Sequence, residues 1–439
     1  MSKQGSAALH GASTAADAYV PTHGNGGYRV SFYDLELTYR AAGNQLTGSA
    51  RISGTATQPL SRLSFDLATL RVGKVAVNGA PAARYSQDAR KLHIWPAQSL
   101  PADAEFDVTI SYAGRPVPIG GPWGALGWEE LTDGVIVASQ PNGAPSWFPC
   151  NDHPSSKAAY RVGVTTDSAY QVLANGVLTE KRRAASRTTW VYEQQEPMAS
   201  YLATIQIGRY DLVPLGSGPV KAMAAVPPRR RGAFTTTFRR QAEMVDLFSR
   251  LFGPFPFAQY TVVITDDPLE IPLEAQGISV FGSNFLEGKR GQERLVAHEL
   301  AHQWFGNSLT IDAWQHIWLH EGFACYAEWL WAEHSGGPTA DRSAAGALAT
   351  VRAVPQDLAI GDPGPVRMFD NRVYLRGALT VHALRKRLGD TVFFELIQEW
   401  TAQNRYGSVN TEKFLDLVDQ RGGDVAQLRR WLFETALPT

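Results

Sequence analysis

The sequence predicts an α+β protein of several domains, with a β-rich N-terminal half and a mainly helical C-terminal half. Its 439 residues exceed what one ordinary hydrophobic core supports. From Tyr28 to about residue 215, short segments alternate apolar and polar residues, whereas apolar residues beyond this point recur at helical spacing. We therefore expect a flexible tail over residues 1–25, a β-rich domain over 26–215 and a mainly helical domain over 216–439.

The β-rich domain is predicted from alternation and from the turns that interrupt it. The tail before it is rich in Gly, Ser, Ala and Thr, which favours disorder. Asn78-Gly79 predicts a two-residue hairpin turn. The predicted strand segments are YRVSFYDLELTYR, LTGSARISGTAT, VGKVAVNGAPAARYS, KLHIWPA, FDVTISYAG, YRVGVTTD, YQVLANGVLTEKRR, TTWVYEQQ and LATIQIGRYDLVPL.

The second domain is predicted from helical periodicity and from glycines at the expected helix ends. Gly253 and Gly306 are the expected stops of the first two helices with a clear apolar face. YTVVITDD between them has the character of a buried strand. The predicted helices are TTTFRRQAEMVDLFSRLFG, GQERLVAHELAHQWFG, IWLHEGFACYAEWLWAEHSGG, ALTVHALRKRLGD, TVFFELIQEWTAQNRYG, TEKFLDLVDQRGG and VAQLRRWLFETA.

Composition excludes several classes of protein. The formal net charge of -1 gives no attraction to nucleic acid or to an anionic membrane. No stretch approaches the roughly 20 apolar residues of a bilayer-spanning helix, and the N-terminus lacks the apolar core of a signal peptide. Cys150 and Cys325 form no disulfide framework and are expected to be buried thiols. We therefore predict a cytoplasmic protein with no nucleic-acid or membrane partner.

Histidine is concentrated in one short window of the second domain. His298 and His302 lie four residues apart on a predicted helix, so both side chains project from one face, one turn apart. Neutral imidazoles at this spacing are suited to one small cation such as zinc. Glu299 lies beside the pair without being in line with it, and could therefore reach a metal-bound water rather than the metal.

A third ligand is expected from the following helix. Glu321 is the candidate, and Glu328, seven residues later, falls on nearly the same helical face, where it could orient a ligand histidine from behind. A structural zinc is normally closed by four Cys or His ligands, whereas three ligands and a spare carboxylate are typical of a catalytic zinc. His316 and His320 are interpreted as hydrogen-bonded or exposed loop histidines, not as ligands.

The motif HELAHQWFGN followed by WLHEGFACYAE resembles the M1 zinc aminopeptidases, a gluzincin family whose pattern is HExxH, eighteen residues, then Glu. The resemblance extends over most of the chain. PLEAQGIS lies where the family has its Gly-x-Met-Glu-Asn exopeptidase motif, SQPNGAPSWFPCNDHP resembles the upstream segment, and VYLRGALTVHALRKRLG resembles the Tyr-x-Lys-Gly-Ala stretch. The implied fold is a saddle-like β-rich N-terminal domain followed by a thermolysin-like catalytic domain.

The resemblance implies that zinc would be held by His298, His302 and Glu321, with Glu299 as general base. It also implies roles for residues outside the histidine window. Glu274 would bind the α-ammonium of the substrate, Gln140 would line the same anchor, and Tyr374 would donate its phenol to the tetrahedral intermediate. The backbone around Gln276-Gly277 is expected to be extended and to pair with the substrate as an added strand. The motif is only partly matched, because Leu273-Glu274-Ala275 replaces Met-Glu-Asn and Asn142 replaces an acidic residue found in many relatives.

The implied activity is removal of the N-terminal residue from peptides with a free N-terminus, with one Zn²⁺ per chain and a monomeric protein. Larger members continue into a helical domain that roofs the site, so a sequence ending at Thr439 resembles a short form with a more open cleft. Two alternatives remain open. A thermolysin-type zinc endopeptidase would share the metal chemistry without an amine anchor, and a catalytically silent peptide-binding scaffold would lack turnover.

Overall fold

The computed structural model describes residues 9–216, 218, 220–286 and 290–438. It divides into two compact units, Met1–Tyr210 and Asp211–Thr439. The first unit is built from β-strands and the second combines one main sheet with α-helices. The predicted fold class, a β-rich domain followed by a mainly helical one, is confirmed.

The first unit contains three sheets within its described residues. The strands are β1 (Leu9–His10), β2 (Tyr28–Arg40), β3 (Gln45–Ala56), β4 (Leu60–Asp66), β5 (Arg71–Val77), β6 (Ala80–Pro81), β7 (Arg84–Gln87), β8 (Lys91–Trp95), β9 (Glu105–Gly114), β10 (Ile119–Gly121), β11 (Gly124–Leu131), β12 (Gly134–Ala138), β13 (Lys157–Asp167), β14 (Gln171–Ala174), β15 (Val177–Ala184), β16 (Arg187–Ala199) and β17 (Ile205–Gly208). The strand orders of the three sheets are β1-β4-β8-β7, β10-β11-β12-β17-β14 and β15-β16-β13-β2-β3-β9-β5-β6.

The largest of these sheets follows the alternation in the sequence. Along β2 the side chains of Tyr33, Leu35 and Leu37 are buried, while the residues between them are more exposed. This is the pattern of a sheet with one face on the core. Asn78 and Gly79, with φ of 52° and 76°, form the turn between β5 and β6, as predicted.

The N-terminal segment differs from the predicted flexible tail. Residues 1–8 lie outside the described part of the chain, but residues 9–25 pack on the first unit: β1 pairs with β4, and Tyr19 and Val20 are buried. The Asn25 side chain donates a hydrogen bond to Asp66 (2.7 Å). Composition alone favoured disorder here, because pairing with residues far along the chain leaves no local pattern.

The second unit combines a mixed sheet with helices. Its sheet order is β18-β19-β20-β22-β21, and β23 pairs with β24 separately. The elements are β18 (Asp211–Pro214), β19 (Lys221–Val226), α1 (Arg231–Thr237), α2 (Gln241–Phe252), β20 (Gln259–Ile264), β21 (Leu273–Ala275), β22 (Ile278–Phe281), α3 (Arg290–Ala301), β23 (Thr310–Ile311), α4 (Trp318–His334), α5 (Ala340–Arg352), α6 (Asn371–Leu388), α7 (Asp390–Gln403), β24 (Ser408–Val409), α8 (Thr411–Gln420) and α9 (Val425–Phe433).

Three boundaries differ from the sequence prediction. The second unit starts at Asp211 instead of residue 216, because β18 pairs with β19. The helix expected over TTTFRRQAEMVDLFSRLFG is two helices, α1 and α2. The α-helix expected to reach Gly306 ends at Ala301, although the His302 N–H still bonds to the carbonyl of His298 (3.2 Å) and keeps one further turn.

None of the described helices is long and apolar enough to cross a bilayer.

A close helix crossing organises the second unit. Helix α4 is buried on all sides along most of its length, which is typical of a helix inside a core. A Cβ on Gly322 of α4 would lie 2.8 Å from the Cα of Gly377 on α6, so the two backbones are in contact where they cross. Glu321 and Tyr374 lie on these two helices beside the crossing, which brings them into one region.

Candidate metal centre and active site

Helices α3 and α4 bring His298, His302 and Glu321 together in the second unit. All three side chains are buried, and their potential ligand atoms lie within 4.8 Å of one another. Glu321 Oε2 is 3.4 Å from His298 Nε2 and 3.6 Å from His302 Nε2. The two imidazoles and the carboxylate predicted as metal ligands thus converge on one point.

Hydrogen bonds behind the imidazoles fix which nitrogen faces that point. His298 Nδ1 donates to Glu328 Oε1 (2.7 Å), and His302 Nδ1 donates to the carbonyl of Phe305 (3.0 Å). Because both acceptors need the proton on Nδ1, the Nε2 atoms of both imidazoles are the ones that face Glu321. Arg294 holds the second oxygen of Glu328 (2.9 Å). Such outer contacts are what orient the ligands of protein metal sites.

The donor set fits a tetrahedral divalent cation. Ligand atoms at ~2.0–2.1 Å from zinc in tetrahedral geometry lie about 3.3 Å apart, close to the separations of the Glu321 oxygen from the two imidazole nitrogens. Burial lowers the pKa of His302 to about 4, so this imidazole is neutral, as a ligand must be. Three protein ligands leave a fourth position for substrate or water, which is the ligand count of a catalytic zinc site.

Two further carboxylates adjoin the same cluster. Glu274, Glu299 and His302 form a second buried group whose ligand atoms lie within 4.8 Å of one another. Burial, opposed by His298 but reinforced by Glu321, raises the pKa of Glu299 to about 7. Burial and the carboxylates of Glu299 and Glu321 raise the pKa of Glu274 well above its usual range. Three buried carboxylates this close together favour the binding of cationic groups.

The pKa of His298 shows the same preference for positive charge. Burial acts to lower this pKa, but the hydrogen bonds to Glu321 and Glu328 reverse the direction and raise it well above its usual range. In a cluster of buried carboxylates, a cation near His298 Nε2 is therefore stabilised, whether it is a proton or a metal ion.

Strand β21 aims Glu274 at helix α3. Glu274 lies opposite Ser279 in the β21–β22 register, so both side chains project from the same face of the sheet. The Ser279 hydroxyl lies 3.4 Å from the carbonyl of Glu299, which shows that this face is turned toward α3. In the described strand order β21 is an edge strand.

Tyr374, in the first turn of α6, lies beside the metal ligands. Its ring is stacked on the imidazole of His298 at an interplanar angle of 20°, with 6.0 Å between ring centroids. Burial and the carboxylates of Glu321, Glu274 and Glu299 raise its pKa well above the usual range. The phenol is therefore a proton-bearing hydrogen-bond donor at neutral pH. The structure thus places Tyr374 beside the cluster of candidate metal ligands.

The segment Gln276-Gly277 differs from the predicted extended backbone. It forms the two-residue turn between β21 and β22, and Gly277 has a φ of 74°. The Gly277 N–H donates to the side chain of Gln303 (2.8 Å), while its carbonyl accepts from the N–H of Thr261 (2.9 Å). Gly277 therefore cannot offer these groups to an added strand. The prediction that this residue pairs with the substrate backbone is wrong. Gln276 is fully buried in the same turn.

The other predicted residues lie as follows. Gln140 belongs to the first unit, where it is half-buried just after β12, and its role at the amine anchor stays a prediction. His320 lies in the first turn of α4 and not in a loop, and its Nε2 accepts a hydrogen bond from the N–H of Ile311 (3.1 Å). The His316 ring is 2.9 Å from the Thr411 hydroxyl. Neither histidine belongs to the candidate ligand groups of the described residues.

Sequence reasoning missed residues that hold the site in place. Gln303, next to His302, bonds to both ends of the β21–β22 turn, and Asn307 bonds to one of them. Arg294 was also missed, although its position one helical turn before His298 was a signal that it could reach the same outer carboxylate. No feature of the sequence indicated the contact of Gly322 with Gly377, because it joins helices that are far apart in sequence.

Comparisons with known proteins agree with this arrangement. The family model described as the Peptidase family M1 domain matches residues 237–431, and that described as the Peptidase M1 N-terminal domain matches residues 30–202. Aminopeptidase M1-B of Oryza sativa subsp. japonica is 24% identical over 89% of this chain and 48% of its own length. Glutamyl aminopeptidase of Sus scrofa is 24% identical over 88% of this chain and 45% of its own length. The chain therefore spans about half the length of the curated relatives it matches.

Solved structures match the chain over nearly its whole length. The M1 zinc metallopeptidase from Deinococcus radiodurans superimposes with a TM-score of 0.88 at 30% identity, covering 97% of this chain and 99% of that one. A mutant of that enzyme bound to the substrate Tyr-Ser-Ala matches with a TM-score of 0.89 at the same identity. With both family models matched and the converging histidines and glutamates in place, the chain belongs to peptidase family M1.

Proposed function

We propose that this protein is a zinc-dependent aminopeptidase that removes the N-terminal residue of peptides. The observation that carries the proposal is the position of Glu274, a buried carboxylate in the same group of ligand atoms as Glu299 and His302. A carboxylate held this close to the metal ligands can accept a free α-ammonium but gives an internal peptide nitrogen no charge to pair with. The names of the relatives and the zinc chemistry of the solved neighbours support the same function.

Zinc would be held by His298, His302 and Glu321, one ion per chain, with Glu328 orienting His298. When bound, zinc supplies a Lewis acid that polarises the scissile carbonyl and lowers the pKa of a coordinated water.

Glu299 is the proposed general base. It follows His298 on α3, so its carboxylate is displaced around the helix from the line of the two imidazoles and remains available for proton transfer. Burial raises its pKa to about 7, closer to neutral pH than that of an ordinary carboxyl group. A base of this kind takes the proton of the attacking water and returns it to the leaving amine.

Tyr374 is the proposed donor to the oxygen that becomes negative during attack. The phenol keeps its proton among the surrounding carboxylates, and its ring is fixed against His298. A preorganised donor in a water-poor site stabilises developing charge more than solvent does.

We propose that edge strand β21, and not Gly277 in the turn that follows it, aligns the substrate backbone. Glu274 is the middle residue of this three-residue edge strand. An extended peptide added along such an edge gains main-chain hydrogen bonds, and its N-terminus would be stopped at the Glu274 carboxylate. Glu274 then determines which peptide bond is presented to the metal ligands.

The test compares a peptide with its N-acetylated form in wild type and in Glu274→Ala. We expect wild type to cleave the free peptide and to leave the acetylated one intact. We expect Glu274→Ala to lower kcat/KM on the free peptide by about 10²-fold, because an ionic contact and the alignment that it enforces are both lost. Zinc content should stay at the wild-type level.

The matched control is Glu270→Ala, which removes an exposed carboxylate four residues earlier in the chain and should leave kinetics unchanged. Cleavage of both peptides at similar rates by wild type would overturn the proposal in favour of an endopeptidase. Absence of turnover in a zinc-loaded protein that binds peptide would favour a silent scaffold.

The role of Tyr374 predicts a loss in kcat. Tyr374→Phe removes the hydroxyl while keeping the ring against His298, so we expect kcat to fall by roughly 10²–10³-fold with little change in KM. Steady-state kinetics on a free-amine peptide measure both constants. Tyr326→Phe is the control, since that hydroxyl contacts His382 instead of the metal ligands. A rise in KM at constant kcat for Tyr374→Phe would assign this residue to binding.

A further inference from the structure

Two side-chain amides tie the strand that carries Glu274 to the segment that carries His302. Gln303 Oε1 accepts from the N–H of Gly277 (2.8 Å), and Gln303 Nε2 donates to the carbonyl of Ala275 (3.2 Å). Asn307 Nδ2 donates to the same carbonyl (2.9 Å). One glutamine thus bonds to the residues on both sides of Gln276, at the turn between β21 and β22.

Strand β21 has little else within its sheet to hold it. It is three residues long and pairs only with β22 in the described sheet order. A short edge strand depends on contacts outside the ladder for its position. Gln303 and Asn307 are fully buried, so their hydrogen bonds are made away from solvent and are costly to leave unmade.

The same segment contains a zinc ligand. Gln303 directly follows His302, whose Nδ1 and backbone N–H bond to Phe305 and His298 and not to the Gln303 side chain. The amide of Gln303 is therefore a fixed-length connection between the metal ligands on one side and the strand of Glu274 on the other. It does not itself support the imidazole.

We propose that Gln303 is a positioning residue that fixes the distance from the Glu274 carboxylate to the metal ligands, with Asn307 as a second tether. The inference rests on the proposed function of Glu274 as the amine anchor. Without Gln303, the β21–β22 turn can move away from the end of α3 while the metal ligands keep their arrangement. A displacement of about 1 Å at such a site is enough to cost roughly 10²-fold in rate.

The test is Gln303→Met, which has a similar length and no hydrogen-bonding amide. We expect kcat/KM on a free-amine peptide to fall by about 10–100-fold, with one zinc still bound per chain. In a Glu299→Gln background, we expect titration with L-tryptophan and with L-arginine to give dissociation constants raised by about tenfold or more. This binding measurement does not depend on turnover.

The matched control is Gln398→Met, because the Gln398 amide ties α7 to the carbonyl of Arg250 in α2 and should affect neither measurement. If Gln303→Met fails to fold, Gln303→Glu is the second variant. It keeps an acceptor for the N–H of Gly277 and loses the donor to Ala275, so we expect a smaller loss of amino-acid binding with zinc retained.

Unchanged amino-acid binding and unchanged kcat/KM in a folded Gln303 variant would overturn this inference while Glu274→Ala still shows its defect. If Glu274→Ala itself has no effect on amine recognition, the proposed anchor fails first. Loss of zinc from a folded Gln303→Met protein would also overturn the inference, because it would show that the residue supports the metal ligands.

Discussion

Replacement of Glu299 by Gln is expected to lower kcat by about 10²–10⁴-fold while one zinc ion remains bound per chain. Gln has nearly the same shape as Glu, so the fold around this buried residue should be kept. Its amide cannot accept the proton of the attacking water, however, and cannot return a proton to the leaving amine. Steady-state kinetics and metal analysis of the same preparation measure the two parts of this prediction.

The control for this variant lies on the same helix. Glu293 precedes Glu299 on α3 but faces Arg240 and Trp331 instead of the metal ligands, so Glu293→Gln should keep activity within about twofold of wild type, as for most substitutions outside a site. The inactive Glu299→Gln protein should still bind a peptide with a free amine, because Glu274 is unchanged. Normal turnover by Glu299→Gln would rule out Glu299 as the base.

The cluster of candidate zinc ligands could be predicted from sequence because its geometry is mostly local. His298 and His302 are one helical turn apart, and Glu321 and Glu328 are about two turns apart on α4, so helix geometry alone places each pair on one face. Only the approach of the two helices is non-local. That approach comes from the packing of α3 against the buried helix α4.

Glu274 and Tyr374 could not be predicted in the same way. They lie on an edge strand and on a third helix, and no periodicity relates them to the histidines. Resemblance to a family supplied these residues. The conformation at Gly277 was missed because a positive φ and the bond to Gln303 depend on the packing of β21 against the end of α3. Long-range pairing likewise determines the conformation of the N-terminal segment, where β1 pairs with β4.

Loss of the third ligand is expected to have an effect as large as loss of the base, through the metal. Glu321→Ala should weaken zinc binding by more than the ~10–100-fold typical of an outer contact, and activity should be lost at trace zinc. The reason is geometric: only two imidazole donors would remain, and the Glu321 oxygen lies 3.4 and 3.6 Å from them. Competition with a chelator measures the affinity, and elemental analysis measures the stoichiometry.

Graded variants on helix α4 separate ligation from orientation. Glu328→Ala keeps all three ligands but removes the acceptor of the His298 N–H, so we expect zinc affinity about 10–100-fold below wild type and restoration of activity by added zinc. Glu333→Ala, further along the same helix and paired with Arg385, should keep wild-type affinity. Because bound zinc stabilises only the folded state, the rise in Tm on adding zinc should follow the same order, smallest for Glu321→Ala. Equal zinc affinity in Glu321→Ala, Glu328→Ala and Glu333→Ala would show that any bound metal is held by other residues.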